Sequence, residues 1–471
     1  MKVYAEHYVN GRFTPSSSTT TIPVFNPSTE QPTAQVVACS PNDIELAIQS
    51  ATNALSGWSH STLEERGAAL QRLATALEQR KEQFAQVLAT EIGCPLWLGK
   101  GMQMSMPLDN LAHTITALPE VQWQEKIGNA LVERLPIGVI GAITPWNFPI
   151  HQIVAKVAGA VAAGCTIVLK PSEVAAGAAQ LFMEAVHEAG LPAGVVNLIW
   201  GGRAAGQALF THPAINQISF TGSTNAGRQI MATAAQSLKR VMLELGGKSA
   251  AILLPDADIG KALTHVVRSS MVNSGQTCVN QSRLIVPSQH AESIQAQVLE
   301  LMQDWQVGDP FLPDTRLGPV ATAAQLDSIQ RQLELAHKQG AQVNQVGNVR
   351  DMPTGWYCSP TLVSHAQPHM DIIQEETFGP VLSLLTYDDI SEALQLANDS
   401  AYGLSGAVWS QDHDQAVQFA QGMRTGQVVI NGAAQNLATP FGGWGDSGFG
   451  RENGRFGIEE CLNYRSVQGV F

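Results

Sequence analysis

Apolar residues follow two rhythms along this chain, and the change from one to the other marks its organisation. Ile44 to Trp58 and Leu63 to Leu88 carry apolar side chains at helical spacing, with Pro41 and Asn42 as a start for the first helix and Gly93 as a stop for the second. Gly11 to Pro27, rich in Ser, Thr and Pro, reads as an N-terminal arm. From Ile137 short apolar runs take over. Strands are expected at Ile137–Ile143, Thr166–Leu169, Val195–Ile199, Gln217–Phe220 and Arg240–Leu245, alternating with helices at Ile150–Ala163, Ala175–Ala189, Ala204–Phe210 and Thr224–Ser237. Such alternation with short connections predicts a parallel sheet covered on both faces, a Rossmann-like α/β arrangement.

A second α/β region follows. Pro255 to Val272 reads as a helix, Ser282–Val286 and Val381–Leu385 as strands, and Ala291–Trp305 and Ala321–Gly340 as helices. The boundary is placed near Gly246-Gly247, where paired glycines permit an interdomain turn. A length of 471 residues supports this division, since single cores stop growing well short of it.

Composition narrows the function classes. A net charge of −13 disfavours nucleic acid and anionic membranes as partners. No apolar run reaches the roughly 18 residues of a membrane span, and Met1-Lys2-Val3-Tyr4-Ala5-Glu6 lacks a secretory apolar stretch, so a cytoplasmic protein is expected. Cys39, Cys94, Cys165, Cys278, Cys358 and Cys461 form no CxxC pair and the histidines no HExxH array. Neither a disulfide scaffold nor a metal site is expected.

Two residues suggest covalent chemistry. Cys278, in Gly275-Gln-Thr-Cys278, is a candidate nucleophile, and Glu244, in Glu244-Leu-Gly-Gly-Lys248, a candidate base. Together they could form and hydrolyse a thioester, although a lone Cys is equally a small buried hydrophobe and a lone Glu a solvated charge. Among glycine-rich segments, Gly443-Trp-Gly-Asp-Ser-Gly448 formally matches GxGxxG but follows no clear strand, and Gly246-Gly-Lys-Ser249 lacks the first glycine of an ATP loop. Phe220-Thr-Gly-Ser-Thr-Asn-Ala-Gly227 is the better phosphate site, because it joins a strand to a helix and offers Gly222 and Ser223 to a pyrophosphate. Lys170-Pro-Ser-Glu173 ends a neighbouring strand. Its carboxylate suits the free ribose hydroxyls of NAD and disfavours NADP.

Taken in order, Thr144-Pro-Trp-Asn-Phe-Pro149, Lys170-Pro-Ser-Glu173, Phe220-Thr-Gly-Ser-Thr224, Glu244-Leu-Gly-Gly-Lys248, Gly275-Gln-Thr-Cys278, Glu375-Glu-Thr-Phe-Gly-Pro380 and Pro440-Phe-Gly-Gly443 resemble the aldehyde dehydrogenase superfamily. The resemblance runs from the N-terminal arm to the last strand. It implies an NAD-binding domain (1–119 and 136–246), a catalytic domain (247–445) and a small β oligomerisation element (120–135 and 462–471), assembled as a homodimer or homotetramer. It also implies that Cys278 attacks an aldehyde, that Asn147 and the Cys278 N–H hold the oxyanion, and that Glu244 activates water once hydride has passed to NAD.

Cofactor contacts implied by the same resemblance are Ile143, Thr144, Pro145, Trp146, Lys170, Ser172, Glu173, Gly202, Gly206, Phe220, Thr221, Gly222, Ser223, Leu245, Glu376 and Phe378. Lys156 and Glu452 match positions suspected in a proton path, with an ion pair at a surface or interface as the alternative. The chain departs from the common pattern at Gly445-Asp446 and Asn431-Gly-Ala433, which bears on the entrance. His151, Gln152, Ala155, Val272, Asn280, Gln435 and Asn436 are expected there, a polar lining suited to a small or polar aldehyde. The rival readings are a CoA-acylating semialdehyde dehydrogenase and a cysteine hydrolase without redox chemistry. Glu244 weighs against the first and the cofactor motifs against the second.

Overall fold

The structure is a computed structural model that describes residues 1–347, 349 and 352–471. Its first large sheet has eight strands in the order Gly448–Phe449, Arg240–Glu244, Gln217–Thr221, Val139–Thr144, Thr166–Pro171, Val196–Leu198, Glu6–Val9 and Arg12–Pro15. The five strands from Arg240–Glu244 to Val196–Leu198 run parallel, and antiparallel strands flank them on each side. Both faces of the parallel part are covered by apolar cores.

From Val139–Thr144 the chain first adds strands on one side and then returns to add Gln217–Thr221 on the other. That reversal leaves a crevice at the carboxyl ends of these two strands, the place where open α/β sheets bind ligands. Thr144-Pro-Trp-Asn147 and Thr221-Gly-Ser223 emerge there.

The second sheet has seven strands, Gln342–Gln345, Thr361–Ser364, Val381–Tyr387, Arg283–Pro287, Ala250–Leu253, Ser405–Trp409 and Gln427–Ile430, parallel except for the first. Residues 446–461, which the sequence assigned to no unit, cross back: Gly448–Phe449 pairs with Leu243 and Glu244, and the Gly454–Glu459 helix packs on Pro149–Ala163. The expected hairpin forms from Gln124–Ile127 and Ala130–Pro136, and Leu462–Gln468 pairs along Ala130–Pro136.

Helix ends follow local chemistry. Ser40 caps Pro41–Trp58 in a reciprocal box with Asp43, and Gly164 stops Pro149–Ala163 at φ 83°. The long second helix is two helices, Leu63–Glu78 and Lys81–Ile92, because Arg80 leaves helical geometry while the apolar spacing continues through the break. The arm is also structured. Arg12–Pro15 and Thr21–Asn26 are edge strands, where β-branched residues favour extension and Pro23 removes no needed donor. Met102–Ala117, absent from the sequence reading, forms a helix despite Pro107.

Candidate active site

The loop before Cys278 is held in an unusual path. Asn273, Ser274 and Gly275 have φ of 56°, 54° and 71°, three consecutive residues in the left-handed region. At Gly275 a Cβ would lie 1.9 Å from the Gly379 carbonyl oxygen, so no other residue fits. Side chains fasten the rest. Ser274 Oγ donates to Gly318 O at 2.8 Å, Gln276 Nε2 to Asn273 O at 2.9 Å, and Asn280 Nδ2 to Gly275 O at 3.0 Å.

Asn147 is buried beside this loop. Its carbonyl accepts from Gln103 Nε2 and Asn273 Nδ2, both at 2.9 Å, and its Nδ2 donates to Gln276 O at 3.0 Å. A side-chain amide carries two N–H groups, so the second is free for an oxyanion. The strand end, the helix start and the thiol loop therefore fix one another.

Gly246 and Gly247 serve contact more than turning, since neither has positive φ. A Cβ on Gly246 would stand 2.4 Å from Glu376 Oε2, and one on Gly247 2.5 Å from Cys278 O. The chain does cross here, from Arg240–Glu244 of one sheet to Ala250–Leu253 of the other, and close approach adds a second reason for the pair: these glycines let Glu376 and the Cys278 backbone draw in beside Glu244. The GxGxxG decoy has a similar explanation. A Cβ on Gly448 would lie 2.1 Å from Leu243 O, so that segment pairs with the strand bearing Glu244.

Burial dominates the electrostatics. It pushes the Cys278 thiol far above its ordinary range, reinforced by the carboxylates of Glu376 and Glu244. Glu244 is 2% exposed with both carboxylate oxygens unpartnered, and burial followed by Glu452 raises it well above an ordinary carboxyl, against the pull of Lys156 and Arg451. Lys156 Nζ meets Glu452 Oε1 at 2.8 Å with both side chains buried, so a surface pair is excluded. Glu376 is pushed up to about 7 by burial, opposed by the Gly247 N–H and Lys248.

Three cavities are lined by residues of the expected site, though none of them by Glu244. One of about 650 Å³ and one of about 240 Å³ share Cys278 and Gln152 as common wall. The smaller collects Pro145, Trp146, Asn147, Thr221, Gly222, Ser223, Leu245, Glu376 and Phe378 of the expected set, with Trp146 and Phe378 edge to face at 5.7 Å. Ser223 caps the Thr224–Ala235 helix there. The third, of about 410 Å³, is lined by Ile143, Lys170, Gly206 and Phe220.

Thr144, Ser172, Glu173 and Gly202 line none of the three. Thr144 is buried, Ser172 caps a short 3-10 turn, Glu173 lies 3.4 Å from Lys170 Nζ, and Gly202 precedes the Arg203–Thr211 helix. Gln325 and Ser328 face the cofactor-side cavity and escaped the sequence reading. Together with Gln332 they recur at i, i+3 and i+7, a spacing that in sequence is indistinguishable from a solvated helix face.

Of the expected entrance residues, His151, Gln152, Val272 and Gln435 line the 650 Å³ cavity, whereas Ala155, Asn280 and Asn436 do not. Met102, Met106, Phe148, Leu437 and Phe441 join it, as do Asp109, His113, His265 and Arg268, and apolar atoms make up most of the wall surface, more than the sequence suggested. His151 contributes a neutral ring, its basicity lowered to about 4 by burial. Among the described residues there is no group of His, Cys, Asp or Glu able to hold a metal and no helix long and apolar enough to cross a membrane.

These surroundings fit a dinucleotide. A helix N-terminus and the unpartnered, buried Thr221 Oγ1 face the crevice at the strand reversal, while the thiol sits where that crevice meets a second cavity. Comparison with known proteins agrees. The model of the Aldehyde dehydrogenase family matches residues 13–467. A 3-succinoylsemialdehyde-pyridine dehydrogenase from a Pseudomonas species is 40% identical, covering 100% of this chain and 99% of its own. Among solved structures, a cysteine-to-alanine mutant of aldehyde dehydrogenase C from Pseudomonas syringae, complexed with NAD+ and octanal, aligns with TM-score 0.97 at 40% identity over 99% of this chain and 97% of that one. A Mycobacterium tuberculosis aldehyde dehydrogenase complexed with NAD+ aligns with TM-score 0.96 at 36% identity over 99% and 98%.

Proposed function

The chain belongs to the aldehyde dehydrogenase family, and from that premise we propose that it oxidises an aldehyde to a carboxylic acid, with Cys278 carrying the acyl group and Glu244 activating water. NAD, when bound in the crevice, supplies the two-electron acceptor. The observation that carries this reading is the position of Cys278, which forms a wall common to the cofactor-side cavity and the throat.

The residues act in order. Cys278 Sγ bonds to the aldehyde carbon as its proton passes to water, and the oxyanion so formed takes hydrogen bonds from the free Asn147 amide N–H and the Cys278 N–H. Loss of the carbon-bound hydrogen with its electron pair leaves a thioester. Glu244, with both oxygens free, takes a proton from water, whose oxygen bonds to the acyl carbon as the C–S bond breaks and the thiol is regenerated. Glu376 would hold the nicotinamide ribose, Phe378 would pack near the nicotinamide, Trp146 would line the site beside Asn147, and Lys170 and Glu173 would hold the adenosine ribose. The unpartnered carboxylate favours water over CoA as acyl acceptor.

Three units divide the work: 1–119 with 136–246 for the cofactor, 247–445 for catalysis, and 120–135 with 462–471 for assembly. Six of the seven residues in Leu462–Gln468 are exposed, an unpaired edge that supports a homodimer or a dimer of dimers. The apolar throat favours an aldehyde with a hydrocarbon chain over a hydroxylated one, and the octanal complex of the Pseudomonas syringae relative supports that direction.

Cys278→Ala tests the assignment. The variant is expected to bind NAD as the parent does, measured by calorimetry, while aldehyde-dependent NADH formation falls by roughly 10³-fold or more. Undiminished turnover overturns the reading.

A further inference from the structure

Lys248 is a buried charge that the proposed chemistry leaves unused. It is 2% exposed, has no carboxylate within ion-pairing distance among the described residues, and its Nζ donates to Thr377 Oγ1 at 3.1 Å. Thr377 Oγ1 donates onward to Gln332 Oε1 at 2.8 Å, and Gln332 Nε2 returns to Glu376 O at 3.2 Å. Gln325 Nε2 donates to the carbonyls of Thr377 and Phe378, both at 3.0 Å. These bonds hold a strained segment, because Phe378 has φ 53°. Glu376 Oε1 meanwhile accepts from the Gly247 N–H at 2.9 Å, one residue before Lys248.

We infer that Lys248 is a positioning residue for the cofactor: through Thr377 it fixes the Glu376–Phe378 segment, and by its charge it keeps Glu376 ionised to accept from the nicotinamide ribose. This rests on the reading of Glu376 given above. A lone ammonium in the interior is costly unless its charge is used, and the nearby carboxylate gives that use. The two groups oppose each other's burial. Burial lowers Lys248 to about 7, with Arg283 adding to the fall and Glu376 and Glu375 resisting it. Burial raises Glu376 to about 7, with Lys248 resisting, while Cys278 and Tyr402 also face it. Both groups therefore change charge near neutrality, and cofactor affinity should change with them.

The experiment measures NAD dissociation constants from pH 6 to 9 without aldehyde, for the parent, Glu376→Gln, Lys248→Met and Thr377→Val. Lys248→Met should weaken NAD about tenfold at pH 7.5 and move the inflection of affinity to higher pH, since the cation that favours the carboxylate is gone. Thr377→Val, which keeps the cation and breaks the chain of hydrogen bonds, should weaken NAD with the inflection unmoved. If Glu376→Gln weakens binding while Lys248→Met stays within twofold of the parent with the same inflection, the inference is overturned. If Glu376→Gln itself binds like the parent, it is the underlying reading that fails. Should Lys248→Met not fold, Thr377→Val alone decides, and unchanged affinity there also refutes the role.

Discussion

Two carboxylates act around Cys278, Glu244 buried and Glu376 half-buried, and they are built in opposite ways. Glu376 is tied: one oxygen accepts from the Gly247 N–H, the other rests where Gly246 leaves room, and its backbone is held by Gln332. Glu244 is untied, with no partner for either oxygen and only the missing Cβ of Gly442, 2.7 Å away, giving it space. A group that holds a ligand gains from being fixed beforehand, whereas a group that takes a proton needs free lone pairs and room to reach water. The contrast separates binding from chemistry on two sides of one thiol.

The largest effect should come from removing the free carboxylate. Glu244→Gln keeps the volume and loses the base, so steady-state turnover should fall by about 10²-fold or more while the first turnover still releases a burst of NADH and an acyl-enzyme accumulates, visible by intact-protein mass. Glu376→Gln should show the reverse, weaker NAD binding and no trapped acyl group. An acyl-enzyme in both variants, or in neither, would erase the distinction between the two sides.

A smaller effect sharpens the description of the untied side. Because Glu244 is raised above an ordinary carboxyl, its basic form grows as pH rises, and hydrolysis of the acyl-enzyme should climb with pH. Lys156 favours the ionised form. Lys156→Met should therefore shift that climb to higher pH by about one unit, the more so because Glu452 loses its partner at 2.8 Å. Adding Glu452→Gln removes the stranded negative charge and should return the profile part of the way. A single-turnover pH profile of deacylation checks this, and no shift in Lys156→Met means that the buried pair does not govern Glu244.

Much of this was legible in the residues. The strand–helix rhythm from Ile137 to Leu245 gave the parallel sheet, because strands buried on both faces must read as short apolar runs. Glu244 and Cys278 stood out as a carboxylate and a thiol able to form and hydrolyse a thioester, and Asn147 entered through the motif resemblance; the fold places Asn147 and Cys278 on one cavity wall. The clamp on Glu376 was not legible. Its parts come from Gly247, Lys248, Gln325, Gln332 and Thr377, distant in sequence and joined only when the two sheets meet, and polar residues on the Ala323–Lys338 helix resemble any solvated face. The apolar throat was hidden for a like reason. Met102 and Met106 belong to a helix containing Pro107, where proline argues against a helix that tertiary packing nevertheless supports.

The tied side should lose affinity in steps as its ties are cut. Gln325 makes two of the bonds on the Thr377–Phe378 backbone, but Gln332 and Lys248 hold the same segment independently. Neutral hydrogen bonds of this kind contribute about 1 kcal/mol each, and with Gln332 and Lys248 in place about half of the two is lost from binding, so Gln325→Ala should raise the KM for NAD by roughly threefold to tenfold and leave acyl-enzyme hydrolysis unchanged. A Gln325→Ala/Gln332→Leu double variant should lose more than the two single losses combined, because Phe378 would then be free to leave its left-handed conformation. Steady-state kinetics with NAD varied, over the full cycle of four proteins, measures that coupling. Simple additivity would mean that the two glutamines act separately, leaving Lys248 and the Gly247 N–H to keep Glu376 in place.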